Sequence, residues 1–430
     1  MYHDESISLI GGVGMGEGLT RQILVSAYGC EPGKGSEQGV GWNWVLQLVR
    51  LADLVVVTRA NNRGAIEAAM PAEYAERIRF VYYDLPEKLR AFKRKERGLY
   101  LYYLLWQWGA YRLMKRQLAI RPVDYAMHLT FGSVWMPTFM HRLPVPFIWG
   151  PVGGGEAVPW KLIRTLPLKG RFVQYARHFL MASFGINPLV AGIVRRARVI
   201  LARTNETAKL IPARHAEKVR VVLETAAAED WFDHRPRTSH ADRKVIKVIY
   251  TGRLVPFKNI DIAIRAVAAA RRAGADIHFT IVGDGPLQPA LARRAETEGI
   301  SEIVTFTGRC TQDEVFDHLA RSDIYFIPSL REGGVWSLME AMAVGLPSIC
   351  VNSSGMKVIA DATSARMIEP DHPEKMVAAF TSELCALAAS SELRREMGAN
   401  ARKRLGQHFR WEQKHAFLSG LFDDLEKGPL

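Results

Sequence analysis

Apolar residues along this chain fall into short unbroken runs, separated by stretches in which they recur at intervals of three and four. The runs at 22–28, 54–58, 78–85, 124–130, 146–152, 198–204 and 219–225 predict strands of a first sheet. The stretch carrying Val40, Trp44, Val45, Leu48 and Val49 predicts a helix between the first two. A second series starts at 245–250 and continues at 278–285, 304–308, 324–327 and 348–351, with a helix over 260–272. These runs lack the polar alternation of a half-exposed sheet, so both faces are expected to be covered, as in parallel α/β sheets. Helices are expected over 160–197 and 372–409, and a last helix carries Phe417, Leu418, Leu421, Phe422 and Leu425. The implied divisions are a flexible tail (1–20), a first domain (21–227), a polar linker (228–244), a second domain (245–409) and a terminal helix (410–430). The glycines of GGVGMGEG precede the first credible strand and no helix pattern follows them, so they read as tail and not as a dinucleotide loop.

Length and composition agree with this division. A chain of 430 residues, 48% hydrophobic and 23% charged, is an ordinary globular protein large enough for two cores. Lys and Arg exceed Asp and Glu by 13, which favours anionic partners. The four cysteines, Cys30, Cys310, Cys350 and Cys385, are far apart and suggest neither a disulfide framework nor a zinc site. With no signal peptide at the start, a reducing cytoplasm is the expected compartment. Charge is densest at 87–116, where nine Lys or Arg meet two Glu and the block 99–108 is rich in Tyr and Trp. That block is too short to span a bilayer. It suits either a helix on an anionic membrane surface or a crossover helix with a basic end. No nucleic-acid module accompanies the charge, and nucleic acid is not expected as a partner.

Candidate chemistry gathers at strand ends. In 323–351, strand, loop, helix and strand follow one another, with Glu332, Gly333 and Gly334 in the loop and Glu340 eight residues on in the helix. Ligands of open α/β sheets bind at the carboxyl ends of strands, so both carboxylates are candidates, the alternative being two solvated glutamates. Arg253 and Lys258 lie between the strand at 245–250 and the next helix, where fixed cations beside a helix start would meet an anionic ligand, unless both are simply on the surface. In the first half, Gly35, Ser36 and Glu37 open a helix after the first strand, either to bind an anion or only to turn and cap. His128 near a strand end and the loop of Gly154 and Glu156 carry the same two readings, functional or structural.

The segment EGGVWSLMEAMAVGLP resembles the Glu-x7-Glu signature of the retaining glycosyltransferases of family 4, which have the two-domain GT-B architecture. The resemblance implies an α/β fold of two facing Rossmann-like domains with a cleft between them and a terminal helix crossing back. It implies that Glu332 contacts the donor sugar and Glu340 the nucleotide ribose, with Gly333 and Gly334 beside them. TGRLVPFKN is similar to the family's G-R-L-x(3)-K-G element, so Arg253 and Lys258 would grip the diphosphate, with Asn259 in place of the usual Gly. VGDG, with Gly283, and VTFTG, followed by Arg309, would bracket the base. Gly35, Ser36 and Glu37 would line the donor phosphates and acceptor, His128 would reach the sugar, and Gly154 and Glu156 would meet the acceptor. Val335 stands where the family often has Gly. No Asp-x-Asp occurs, so neither metal nor cofactor is expected beyond a nucleoside-diphosphate sugar as donor. The implied activity is hexose transfer to a lipid-linked or polysaccharide acceptor, peripheral on the inner face of the membrane through 87–116. The rivals are a soluble transferase acting on a small sugar or storage glucan, and a nucleotide-sugar-binding or isomerising protein of the same fold.

Overall fold

The computed structural model describes residues 21–90, 98–233 and 245–428. The expected tail, most of the linker and the cations Lys93, Arg94, Lys95 and Arg97 lie outside the described residues. Two compact units emerge: one holds the chain up to Gly155, Met181–Glu224 and everything from Lys414 on, the other Glu156–Leu180 and Thr225–Gln413. Residues 156–180 thus group with the second unit although they lie within the first in sequence.

The first unit is built on a seven-stranded parallel sheet of β1 (Gln22–Ala27), β2 (Asp53–Arg59), β3 (Ile78–Tyr83), β4 (Tyr125–Thr130), β5 (Phe147–Val152), β6 (Ala197–Ala202) and β7 (Val219–Val221). Their order is β3-β2-β1-β4-β5-β6-β7. The second unit holds β8 (Ile246–Thr251), β9 (Ile277–Val282), β10 (Val304–Gly308), β11 (Ile324–Ile327), β12 (Ser348–Val351) and β13 (Ala365–Ile368) in the order β10-β9-β8-β11-β12-β13. Both sheets reverse direction beside their first strand, the doubly wound order in which loops after two neighbouring strands diverge and leave a crevice. β13, which no apolar run announces, pairs Ser348 with Ala365 and Val351 with Ile368 at the sheet's edge. The run at 278–285 is strand only as far as Val282, because Gly283 turns with φ 131°.

Helix Ser36–Val49 buries Val40, Trp44, Val45, Leu48 and Val49, and Gly41 lets it approach the loop after β1 so closely that a Cβ there would come within 1.9 Å of the Gly29 carbonyl oxygen. Helix Leu99–Ile120 is the crossover between β3 and β4. Its Tyr102, Tyr103, Trp106, Ala110, Tyr111 and Met114 are core residues, so the aromatic face offered for a membrane is largely its packing face. Trp106 is fully buried and donates its indole N–H to the Tyr83 carbonyl at 2.9 Å. Trp106→Ala should therefore cost about 3–5 kcal/mol, read as a lowered urea midpoint for unfolding of the first unit.

Candidate functional site

In the second unit the loops following β8 and β11 diverge from neighbouring strands and are tied together at their bases. The Leu330 amide donates to the Phe257 carbonyl at 2.9 Å, and Asn259, in the left-handed region at φ 56°, reaches the Pro328 carbonyl with its side-chain amide at 3.4 Å. Across this junction Lys258 forms an ion pair with Glu332. The two side chains are only 13% and 12% exposed, so they are not the solvated pair that surface residues would make. Phe257 carries the Arg331 guanidinium over its ring at 4.7 Å, a cation that the spacing of motifs does not reveal. Arg253 lies exposed on the same loop as Lys258, its carbonyl accepting from the Tyr250 hydroxyl at 3.2 Å.

The loop carrying Glu332 is shaped from behind. The Gly355 amide donates to the Glu332 carbonyl at 3.1 Å, and a Cβ on Gly355 would fall 1.7 Å from the Gly333 carbonyl oxygen. A Cβ on Gly334 would meet the Thr225 side chain at 2.5 Å. These close approaches fix the loop without requiring a ligand. Val335 is 2% exposed and packs inward just before helix Trp336–Ala343. Glu340, on that helix, is partly buried, and loss of bulk water raises its carboxyl to about 7 against the opposing effect of a hydrogen bond from Gln312. Beneath both glutamates, the Tyr325 hydroxyl lies 3.2 Å from Thr251 Oγ1. Gly283 presses on the β8 loop, where a Cβ would stand 2.0 Å from the Gly252 carbonyl oxygen, so backbone packing accounts for it. Arg309 is exposed just past β10. Among the described residues no three His, Cys, Asp or Glu side chains form a cluster suited to a metal ion.

The first unit has its own junction, between β1 and β4. The Gly29 amide donates to Thr130 Oγ1 at 2.9 Å, and the Gly132 amide donates to the Glu37 carboxylate at 2.7 Å. Gly33 turns with φ 66°, and Gly35 precedes the helix that opens at Ser36, with no side chain capping its first amides. His128 is placed inside the core, 1% exposed, with Nε2 3.3 Å from the Tyr103 hydroxyl. Burial pushes its pKa down to about 3. Of Gly153, Gly154 and Gly155 only Gly154 has positive φ, at 129°, and its carbonyl accepts from the Trp135 indole at 3.2 Å. Glu156 falls in the second unit, buried, its carbonyl accepting from Arg177 at 2.7 Å. Sequence spacing also misses a polar group in the first unit: Arg203 pairs with Glu224 at 3.1 Å, and burial lowers the Lys414 ammonium to about 8 while Glu224 draws it back up.

Comparison with known proteins identifies the second unit. Residues 233–404 match the family described as glycosyl transferases group 1. Over 168 residues the chain is 29% identical to the alpha-D-kanosaminyltransferase of Streptomyces kanamyceticus, covering 39% of this chain and 42% of that protein. Over 195 residues it is 29% identical to the GDP-mannose-dependent alpha-(1-6)-phosphatidylinositol monomannoside mannosyltransferase of Mycolicibacterium smegmatis, covering 44% of this chain and 50% of that one. The matches thus span half or less of these relatives. Among solved structures, a glycosyltransferase from Rickettsia africae superposes with TM-score 0.61 at 13% identity, covering 95% of this chain and 99% of that one. The Anabaena protein HepE, in complex with UDP and glucose, superposes with TM-score 0.58 at 14% identity, covering 94% and 100%. These likenesses establish the GT-B fold, two Rossmann-like units of which the second holds most of the segment that matches group 1.

The buried state of His128 gives a pH prediction. Its folded pKa lies below the unfolded value of about 6.5, so the stability gained by keeping it neutral is complete above that value and declines as pH falls towards 3. Nitrogen chemical shifts of His128 should stay those of a neutral ring at pH 5; titration near 6.5 would place the ring in solvent instead.

Proposed function

We propose that the protein is a retaining glycosyltransferase that moves a hexose from a nucleoside-diphosphate sugar to a lipid-linked or polysaccharide acceptor, without a metal. The observation that carries this reading is the Lys258–Glu332 pair at the strand-order reversal of the group 1 domain, with Arg253 on the same loop. A carboxylate and an ammonium held together at the mouth of a parallel sheet match the two ends of such a donor. The sugar offers hydroxyls that donate to Glu332, and the diphosphate offers anionic oxygens to Lys258 and Arg253. When the glycosidic bond breaks, the leaving oxygen gains negative charge, and fixed cations lower the barrier by meeting charge that the ground state lacks. With Glu332 held by Lys258, displacement on one face of the sugar fits better than attack by Glu332: the acceptor hydroxyl bonds to the anomeric carbon as the phosphate oxygen departs and takes its proton. Glu340 accepts from the ribose hydroxyls in this reading, which requires its carboxylate form.

Labelled UDP-, GDP- and ADP-sugars, with the product's anomeric configuration read by NMR, test the activity directly. A transferred sugar of retained configuration is expected; release of free sugar isomers without transfer would favour the isomerising alternative. Glu332→Gln preserves the shape and the contact with Lys258, and should lower turnover at least about 100-fold while changing nucleoside-diphosphate affinity only slightly. Equal losses in both would remove Glu332 from the sugar. Glu340→Ala should instead weaken sugar-nucleotide binding by about 1.5–3 kcal/mol. It should also flatten the rise in affinity expected for the parent as pH climbs through about 7, measured by calorimetry with a sugar nucleotide that does not itself titrate there.

Lys258→Ala and Arg253→Ala should each depress turnover more than they weaken donor binding. Addition of EDTA should leave the rate unchanged, and a rate that collapses with chelator and returns with a divalent ion would overturn the metal-free scheme.

A further inference from the structure

Helix Leu168–Ser183 is inside out. Among its residues in the second unit, the most exposed apolar ones are Leu168, Phe172 and Phe179, at 79%, 76% and 74%, followed by Val173 and Leu180. Leu168, Phe172, Tyr175 and Phe179 recur at spacings of four, three and four, which is one stripe of a helix. The residue on the opposite side is Gln174, 4% exposed, whose Oε1 finds no partner. Polar contacts tie the helix to the segment that leads into it: Arg171 donates to the Leu166 carbonyl at 2.7 Å, Arg177 to the Glu156 carbonyl at 2.7 Å, and His178 lies 3.0 Å from the Val158 carbonyl oxygen. The preceding turn is anchored through Leu162, Ile163 and Leu166 and leaves Trp160 61% exposed, edge-on to Tyr175 at 5.2 Å. A soluble surface does not normally spend its aromatic rings this way, since a helix on a core turns its apolar stripe inward.

Charge decides what covers the stripe. Residues 157–180 contain five Lys or Arg and no Asp or Glu. Lys161, Arg164 and Lys169 are exposed around the stripe, and Asp371, whose field reaches Lys161, is itself paired with Lys375 at 3.1 Å. A second copy docked symmetrically would set this basic face against itself. An acidic bilayer surface would meet the cations with phosphate and the rings with the acyl boundary. Among the described residues no single helix is long and apolar enough to cross a membrane; exposed rings flanked by cations suit a helix lying in the interface plane.

We propose that residues 160–180 form the surface by which this protein lies on an anionic lipid bilayer, with Phe172 and Phe179 inserted and Lys161, Arg164 and Lys169 at the headgroups. The test of this surface does not depend on which sugar is moved. The full chain is floated with vesicles of phosphatidylcholine containing about one-third phosphatidylglycerol, and with pure phosphatidylcholine. The parent should float with the first and far less with the second. Phe172→Ser with Phe179→Ser should lower partitioning about 100-fold at any salt. Lys161→Gln, Arg164→Gln and Lys169→Gln together should lower it steeply at low salt and little at high salt. Leu101→Ser with Leu105→Ser, on the exposed side of helix Leu99–Ile120, should change nothing. Unfolding midpoints and donor hydrolysis in solution report the fold and the proposed activity separately. A parent that never floats, a Phe172/Phe179 variant that floats as before, or loss of flotation only in the Leu101/Leu105 variant would each overturn the assignment. So would a parent that sediments as a dimer, stays off vesicles and becomes a monomer in the Phe172/Phe179 variant, because a second copy would then be the occupant.

Discussion

The strand order of the second sheet reverses at β8, and the chemistry of that unit depends on the gap this leaves. Two loops leave neighbouring strands in opposite senses, so the backbone that would fill the crevice is elsewhere. The Lys258–Glu332 pair spans the opening. Few other arrangements bring an acid and a base, 74 residues apart in sequence, to one nearly buried point. Desolvating both charges is costly and their mutual attraction only partly offsets it, which makes the pair a poor device for stability and a good one for recognition. Each partner holds the other in place.

Glycines around that opening act by absence of a side chain. Gly355 presses its backbone on Gly333, Gly283 on Gly252, and Gly285 would bring a Cβ to 2.5 Å from the Leu254 carbonyl oxygen. The loops are thereby stacked main chain on main chain, which fixes Glu332 and Lys258 more firmly than side-chain packing would. Burial then tunes the groups it encloses in opposite directions. It keeps His128 uncharged and raises the Glu340 carboxyl towards neutrality, because in both cases the charged form is the one that loses water.

Strands were legible because a parallel sheet covered on both faces needs unbroken apolar runs, and twelve of the thirteen strands among the described residues coincide with one. β13 escapes because Arg366 interrupts a four-residue edge strand, and edge strands bury less. Glu332, Glu340, Arg253 and Lys258 could be singled out from their place at strand ends and from the motif they resemble. Their pairing could not, since it depends on two loops meeting in space. Arg331, Arg203, Glu224 and Lys414 were illegible for the same reason: a charge in a polar stretch reads as solvated until its neighbours are known. His128 looks alike whether it ends a strand in solvent or sits within one, and burial alone separates the two.

Helix Leu168–Ser183 shows the limit of periodicity most sharply. A stripe of apolar residues at helical spacing establishes that a segment is helical and has two unlike sides, but both a core helix and an interfacial one satisfy that condition. The distinction lies in what the other side offers. Here it offers Gln174 and two basic side chains that end on backbone carbonyls of the preceding segment. Helix Leu99–Ile120 is the converse case, a segment whose cations and aromatics suggest an interface but whose Tyr103 and Trp106 fill a core. The direction in which a stripe points is fixed by the loops that deliver the helix, and those are set by the sheet.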